Sequence, residues 1–267
     1  MTKISILGCG WLGLPLAQAL VKKGFAVNGS TTSADKLPLL ENSGINPFLI
    51  VLSEHKTNGN IADFLENSEI LILDVPPKLR GTAKENFVSK IRNVIPFIEK
   101  SSIKKVLFIS STSIYGDAQT VVSEETVPQP DTESGKQLIL AEQLLQSTEQ
   151  FKTTVLRFGG LIGKDRHPIK FLAGREDLDN PDAPINLIHH EDCLGIILKI
   201  IENNSWNDTF NAVTPSHPSR ETYYVKKAID LNLALPKFNH EKPSIKKTIL
   251  SNKIETVLNY TFTKPNL

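Results

Sequence analysis

The first residues that point to chemistry are Gly8-Cys-Gly10-Trp-Leu-Gly13, spaced G-x-G-x-x-G, between the apolar run Lys3–Leu7 and a helical pattern. In that setting each glycine has a task. Gly8 makes a tight turn, Gly10 lets a pyrophosphate approach the backbone, and Gly13 lets the helix pack close to the strand. The backbone around Trp11 and Leu12, at the positive end of the helix, then offers free N–H groups to phosphate. Cys9 lies in this loop, where a thiolate would be favoured. A small residue fitted beneath a bound dinucleotide is the simpler expectation for it.

The tip of the second strand bears on which dinucleotide is bound. An NAD site usually carries an acid there, for the ribose hydroxyls. The chain instead runs Ser30-Thr31-Thr32-Ser33-Ala-Asp-Lys36. Hydroxyls on Thr31, Thr32 and Ser33, a helix start capped by Ser33, and Lys36 one turn on suit a 2′-phosphate. NADP is therefore expected over NAD. Asp35 argues the other way by its distance along the chain, and is read as a first-turn helix residue. Val75-Pro76-Pro77 follows the fourth strand, at the sheet edge where such folds touch the cofactor.

A second group closes the fifth strand, Ser110-Ser111-Thr-Ser-Ile-Tyr115-Gly116. This segment resembles the extended short-chain dehydrogenase/reductases, the NAD-dependent epimerase/dehydratases, whose strand ends in a Ser-Ser-x-x-x-Tyr-Gly pattern. Leu156-Arg157-Phe158-Gly-Gly and Asn186-Leu-Ile-His189-His190-Glu-Asp192 resemble later segments of that family. Length and glycine spacing are most similar to an atypical subgroup. The opening also resembles the nucleotide-sugar 6-dehydrogenases, but those chains are much longer, and the Ser111–Tyr115 segment decides against them.

The resemblance implies a substrate-orienting Ser at Ser111, Ser110 beside the cofactor, and a Tyr and a Lys four residues apart on a helix. Anchored on Ala141-Glu142, that helix has Ser134 and Leu138 in the two places, and Lys136 lies on another face. Tyr115 is then the tentative acid/base, with loop packing as its alternative. Tyr223–Lys227 and Tyr260–Lys264 match the four-residue spacing but lie outside the expected helix. Arg157 is expected to be paired structurally, Asp192 to cap a helix, and His189 and His190 to border the cleft. No spacing supports a metal site.

These groups need a scaffold, and the apolar pattern supplies one. Runs at Lys3–Leu7, Phe25–Ser30, Pro47–Leu52, Glu69–Asp74, Lys105–Ser110 and Thr153–Phe158 are mostly continuous, as for strands buried on both faces. Helical patterns alternate with them. The expected fold is α/β, a Rossmann-type doubly wound parallel sheet over residues 1–160, with a small C-terminal α/β lobe over 161–267 that returns to the first domain.

Composition excludes other classes. The chain has 267 residues, 40% hydrophobic, with a net charge of +1 and two cysteines. Near-neutral charge argues against a nucleic-acid partner. No apolar run reaches the roughly 18–20 residues of a membrane span, and no basic segment with an apolar stretch opens the chain. A cytoplasmic protein with a small-molecule substrate and no membrane partner is expected. Two functions stay open: an NADP-dependent reductase, epimerase or dehydratase acting on a small polar substrate such as a sugar nucleotide, or a non-catalytic NADP-binding sensor. Oligomeric state is not legible.

Overall fold

The computed structural model describes residues 2–77, 79 and 85–267. Among them seven strands form one parallel sheet: β1 (Lys3–Leu7), β2 (Ala26–Thr31), β3 (Asn46–Leu49), β4 (Ile70–Leu73), β5 (Lys105–Ser111), β6 (Lys152–Phe158) and β7 (Thr209–Ala212). Their spatial order is β3-β2-β1-β4-β5-β6-β7. Strand order reverses between β1 and β4, and a crevice opens at the carboxyl ends there. Leu7 pairs with Leu73, so Gly8 and Asp74 leave the sheet side by side.

Helices cover both faces, which is why the strands read as unbroken apolar runs. On one face, α1 (Gly13–Lys22) turns Leu16 and Leu20 onto the sheet. α2 (Leu37–Asn42) adds Leu40 to that face. On the other, α3 (Ile61–Leu65) precedes α4 (Phe87–Glu99) and α5 (Glu133–Gln146), which bury Ile91, Val94, Leu138 and Leu145. Capping fixes where the last two begin. Asn86 accepts from the Ser89 N–H at 2.9 Å, and Thr132 accepts from the Gly135 N–H at 3.1 Å.

Beyond residue 160 the chain builds α6 (Ile169–Leu172), α7 (His190–Glu202) and α8 (Arg220–Asp230). A small third core gathers Ile169, Ile185, Tyr223 and Tyr224. The rest of this half returns to the first. α7 packs on α1, and β7 joins the sheet beside β6. Near the C-terminus, Thr248–Ile249 pairs in parallel with Val121–Val122, bringing residues 247–249 to the end of β5. No helix among the described residues is long and apolar enough to cross a membrane.

Candidate functional site

The glycine loop has the geometry its spacing predicts. Gly8 has φ +114°, and a Cβ there would stand 2.2 Å from the Asp74 carbonyl oxygen. A Cβ at Gly13 would stand 2.1 Å from the Gly8 oxygen, so helix and strand are in backbone contact. Gly10 is different: a Cβ would meet nothing within 4 Å. Its open side is the space a dinucleotide's phosphates need. Leu12 makes no side-chain cap for α1; the Asp74 carboxylate takes the Gly13 N–H and Gly10 O takes the Leu14 N–H, so the N–H groups left for a ligand are those of Trp11 and Leu12. Gly8 N–H donates to Ser30 Oγ at 2.9 Å, and Cys9 N–H to Ser30 O at 2.7 Å, tying the loop to β2. These residues fit a nicotinamide dinucleotide.

A cleft of about 420 Å³ opens beside the loop. Gly8, Cys9, Gly10, Ser30, Thr31, Thr32, Lys36, Asp74, Val75 and Pro76 line it. Leu12 is buried and, like Gly13, is absent from the lining, while Pro77 and Ser33 lie next to lining residues. The Ser33 hydroxyl makes no cap bond, a correction to its expected role; its N–H donates to Thr31 Oγ1 at 3.2 Å. Asp35 is exposed and absent from the lining, whereas its neighbour Lys36 belongs to it. Trp11 turns away: its Nε1 donates to Asp165 Oδ1 at 3.0 Å.

Two groups that the motif did not single out also line this cleft. Lys90, on α4, is buried and ion-paired with Glu85. Asp74 receives the Gly13 N–H, which favours the carboxylate, but burial wins and pushes its pKa up to about 7. Burial, with Asp74's charge second, pushes the Cys9 thiol up to about 12. Cys9 is thus a packed thiol and not a reactive thiolate.

The second cleft, about 380 Å³, lies at the ends of β5 and β6. Ser110, Ser111, Ser113, Arg166, Asn186 and Lys247 are among its lining. Ser111 Oγ accepts from Ser113 N–H at 3.2 Å, which leaves its own proton to donate. Ser110 is committed elsewhere: its hydroxyl donates to Glu142 Oε1 at 2.5 Å. A third cleft of about 500 Å³ in the C-terminal lobe shares Asn186 and Lys247 with the second, and adds Arg175 and Arg220.

Tyr115 is placed differently from expectation. It is 1% exposed and lines none of the three clefts. Its hydroxyl donates to Ser123 O at 2.9 Å or Asn211 Oδ1 at 3.1 Å, and accepts from Arg157 at 2.8 Å. Burial raises its pKa, outweighing the Arg157 charge. Arg157 in turn grips Glu142, 0% exposed, through Nε at 3.2 Å and NH2 at 2.6 Å. Ser110, Tyr115, Glu142 and Arg157 thus form one buried polar knot across β5, α5 and β6. This is the loop-packing alternative for Tyr115: its hydroxyl is held by Ser123, Asn211 and Arg157, and it borders none of the three clefts.

The other expectations sort plainly. Leu138 is 3% exposed and part of the core, so the family's Lys place is filled by packing. Tyr223 bonds His167 at 2.8 Å, and Tyr260 bonds Asp192 at 2.8 Å; neither lines any of the three clefts. Asp192 does not cap α7. His189 does, accepting from Glu191 N–H at 3.3 Å, while Asp192 fastens Tyr260, Thr263 and Lys264 of the C-terminal segment. His190 packs edge-on against Trp11, with ring centroids 4.5 Å apart. No group of three or more His, Cys, Asp or Glu side chains among the described residues could hold a metal ion.

Comparison with known proteins agrees with this geometry. Residues 79–175 match the model of the NAD dependent epimerase/dehydratase family. Protein YeeZ of Escherichia coli (strain K12) is 32% identical over 268 residues, covering 100% of this chain and 97% of that protein. A functionally unknown conserved protein from Silicibacter pomeroyi DSS has a similar structure, with TM-score 0.81 at 20% identity over 100% of this chain and 95% of that one. UDP-glucuronic acid 4-epimerase from Bacillus cereus, solved with NAD, has TM-score 0.79 at 17% identity over 98% of this chain and 92% of that one. The Rossmann-type sheet, the glycine loop and the full-length likeness to YeeZ together place the chain in the NAD-dependent epimerase/dehydratase family.

Proposed function

We propose that this protein binds a nicotinamide dinucleotide, NADP in preference to NAD, and carries out oxidoreductase or epimerase-type chemistry on a small polar substrate beside Ser111. The observation that carries this reading is the open side of Gly10 beside the unpartnered Trp11 and Leu12 N–H groups, on the same sheet edge as the Ser111 cleft. Sugar nucleotides are the class supported by solved relatives, which include MoeE5 with UDP-glucose and NAD. Thr31, Thr32 and Lys36 line the cleft at the tip of β2, and supply hydroxyls and a cation for a 2′-phosphate. Asp35 stays outside it.

When bound, the nicotinamide supplies hydride transfer. The Trp11 and Leu12 N–H groups would hold its diphosphate. Ser111 donates its free proton to a substrate oxygen and so orients the reacting carbon. Labelled NADPH tests this: stereospecific transfer to the carbonyl carbon of a UDP-keto-sugar is expected, and Ser111→Ala lowers it at least about tenfold. Unchanged transfer in Ser111→Ala would remove Ser111 from the chemistry.

One observation favours a second reading, a non-catalytic NADP-binding sensor. Ser134 and Leu138 occupy the places of the family's Tyr and Lys, and Leu138 is locked in the core. This reading predicts tight NADPH binding with no hydride exchange on any carbonyl substrate.

A further inference from the structure

The cleft beside Ser111 has an unusual charge balance. Arg166 and Lys247 line it, and no carboxylate does. The remaining lining is hydroxyl, amide, glycine and apolar, with Ile109, Leu161 and Ile249 among the apolar members. Two cations converging on a cleft whose lining holds no carboxylate give it a positive potential that favours an anion.

Each cation has bonding capacity left over. Lys247 Nζ donates to Tyr115 O at 2.7 Å and Asp117 Oδ1 at 2.8 Å. An ammonium has three protons, so one remains. The side chain is only 16% exposed, and Asn186 Nδ2 holds the Lys247 carbonyl at 2.8 Å, so the ammonium is fixed in place. Asp117 balances part of this charge from outside the cleft, with its own side chain 58% exposed. Arg166 has no carboxylate within 4 Å among the described residues. Its guanidinium lies over the Trp11 ring at 5.1 Å, which orients the group while leaving its in-plane N–H edges free. Nearby Asp165 is occupied by the Trp11 indole.

We infer that the Ser111 cleft takes a substrate whose reacting portion itself carries a negative charge, a carboxylate or phosphate held between Arg166 and Lys247. This rests on the proposed function and narrows it. Ser111 would then meet an oxygen next to that charge, and Lys247, at the junction with the lobe cleft, sets which end of the substrate points inward. A neutral sugar would leave the Arg166 guanidinium unmatched and the third Lys247 proton without a charged partner. The other anion within Arg166's neighbourhood would be the cofactor diphosphate, since Trp11 belongs to the glycine loop.

Crystals of the NADPH complex soaked in selenate test this by anomalous diffraction. The expected result is a selenate peak between Arg166 and Lys247 Nζ, lost in Arg166→Met and Lys247→Met but kept in Lys247→Arg. NADPH affinity, measured by calorimetry, stays within twofold in all three. No peak in the parent cleft overturns the inference. A peak that persists in both Met variants marks an adventitious ion only, and also overturns it. A tenfold loss of NADPH affinity in Arg166→Met assigns that side chain to the cofactor and likewise overturns the inference. Should Lys247→Met fail to fold, the exposed Arg166→Met decides alone. Failure of NADPH to bind the parent would sink the proposed function, while the selenate peak in unliganded crystals would still decide this inference.

Discussion

The glycine-loop cleft and the Ser111 cleft sit on one sheet edge but are built by different means. In the first, backbone geometry does most of the shaping: Gly8 and Gly13 touch neighbouring backbone, and Gly10 faces open space. In the second, side chains from β5, from Arg166, from Asn186 and from Lys247 converge across long stretches of chain. A backbone site survives wide change in side chains, whereas a convergent site can be rebuilt.

The buried knot beneath the Ser111 cleft should respond most to mutation. Arg157→Met strands Glu142 without its partner, and about 3–5 kcal/mol of stability should be lost in denaturant unfolding. NADPH affinity of the folded fraction should not change. A loss below about 1 kcal/mol would mean the knot is not the structural base of that cleft.

Glycine substitutions split the first cleft internally. Gly13→Ala drives a Cβ into the Gly8 backbone and should cost about 2–4 kcal/mol. Gly10→Ala meets open space, so its melting temperature should hold while NADPH affinity falls at least about tenfold. Equal destabilisation by the two would break the distinction between packed and ligand-facing glycines.

Asp74 gives the loop a pH signature. Its folded pKa of about 7 stands above the unfolded value of about 3.9. Between those values the unfolded chain releases its proton first, so stability falls as pH rises, and the cost is complete above pH 7. Asp74→Asn should therefore gain stability relative to the parent from pH 4 to pH 8, by about 1–3 kcal/mol. NADH affinity should fall over the upper part of this window in the parent and stay flat in the variant. Parallel stability curves would contradict the raised pKa.

Tyr115→Phe should have the smallest effect of these, about 1–2 kcal/mol of stability from the lost hydroxyl bonds. Hydride transfer should be unchanged. A large drop in turnover with intact stability would return Tyr115 to the chemistry.

The same contrast between local backbone and distant side chains decides what is legible in the sequence. The G-x-G-x-x-G loop is legible because its function depends on local backbone, with strand, turn and helix consecutive. Six strands are legible from their apolar runs. β7 is not: Thr209–Ala212 is four residues with no apolar stretch, and only pairing with β6 makes it a strand. Tyr115 stands at the end of a strand in a suggestive pattern, but its partner Arg157 lies 42 residues away, so its burial is hidden. Arg157 itself is readable as a structurally paired charge, since a buried strand cannot hold a lone guanidinium. Lys247 reaches Tyr115 across 132 residues, a contact no local pattern encodes. Asp74 is visible only as the end of a strand; its role follows from Gly8 and Gly13 closing around it.

Calorimetric titration of NADPH and NADH into the parent and Lys36→Ala tests the central claim most directly. Both should bind the parent, NADPH about tenfold tighter, and Lys36→Ala should remove most of this margin without weakening NADH. NADH binding tighter than NADPH would contradict the assignment of Thr31, Thr32 and Lys36 to a 2′-phosphate, and no binding of either would contradict the dinucleotide site itself.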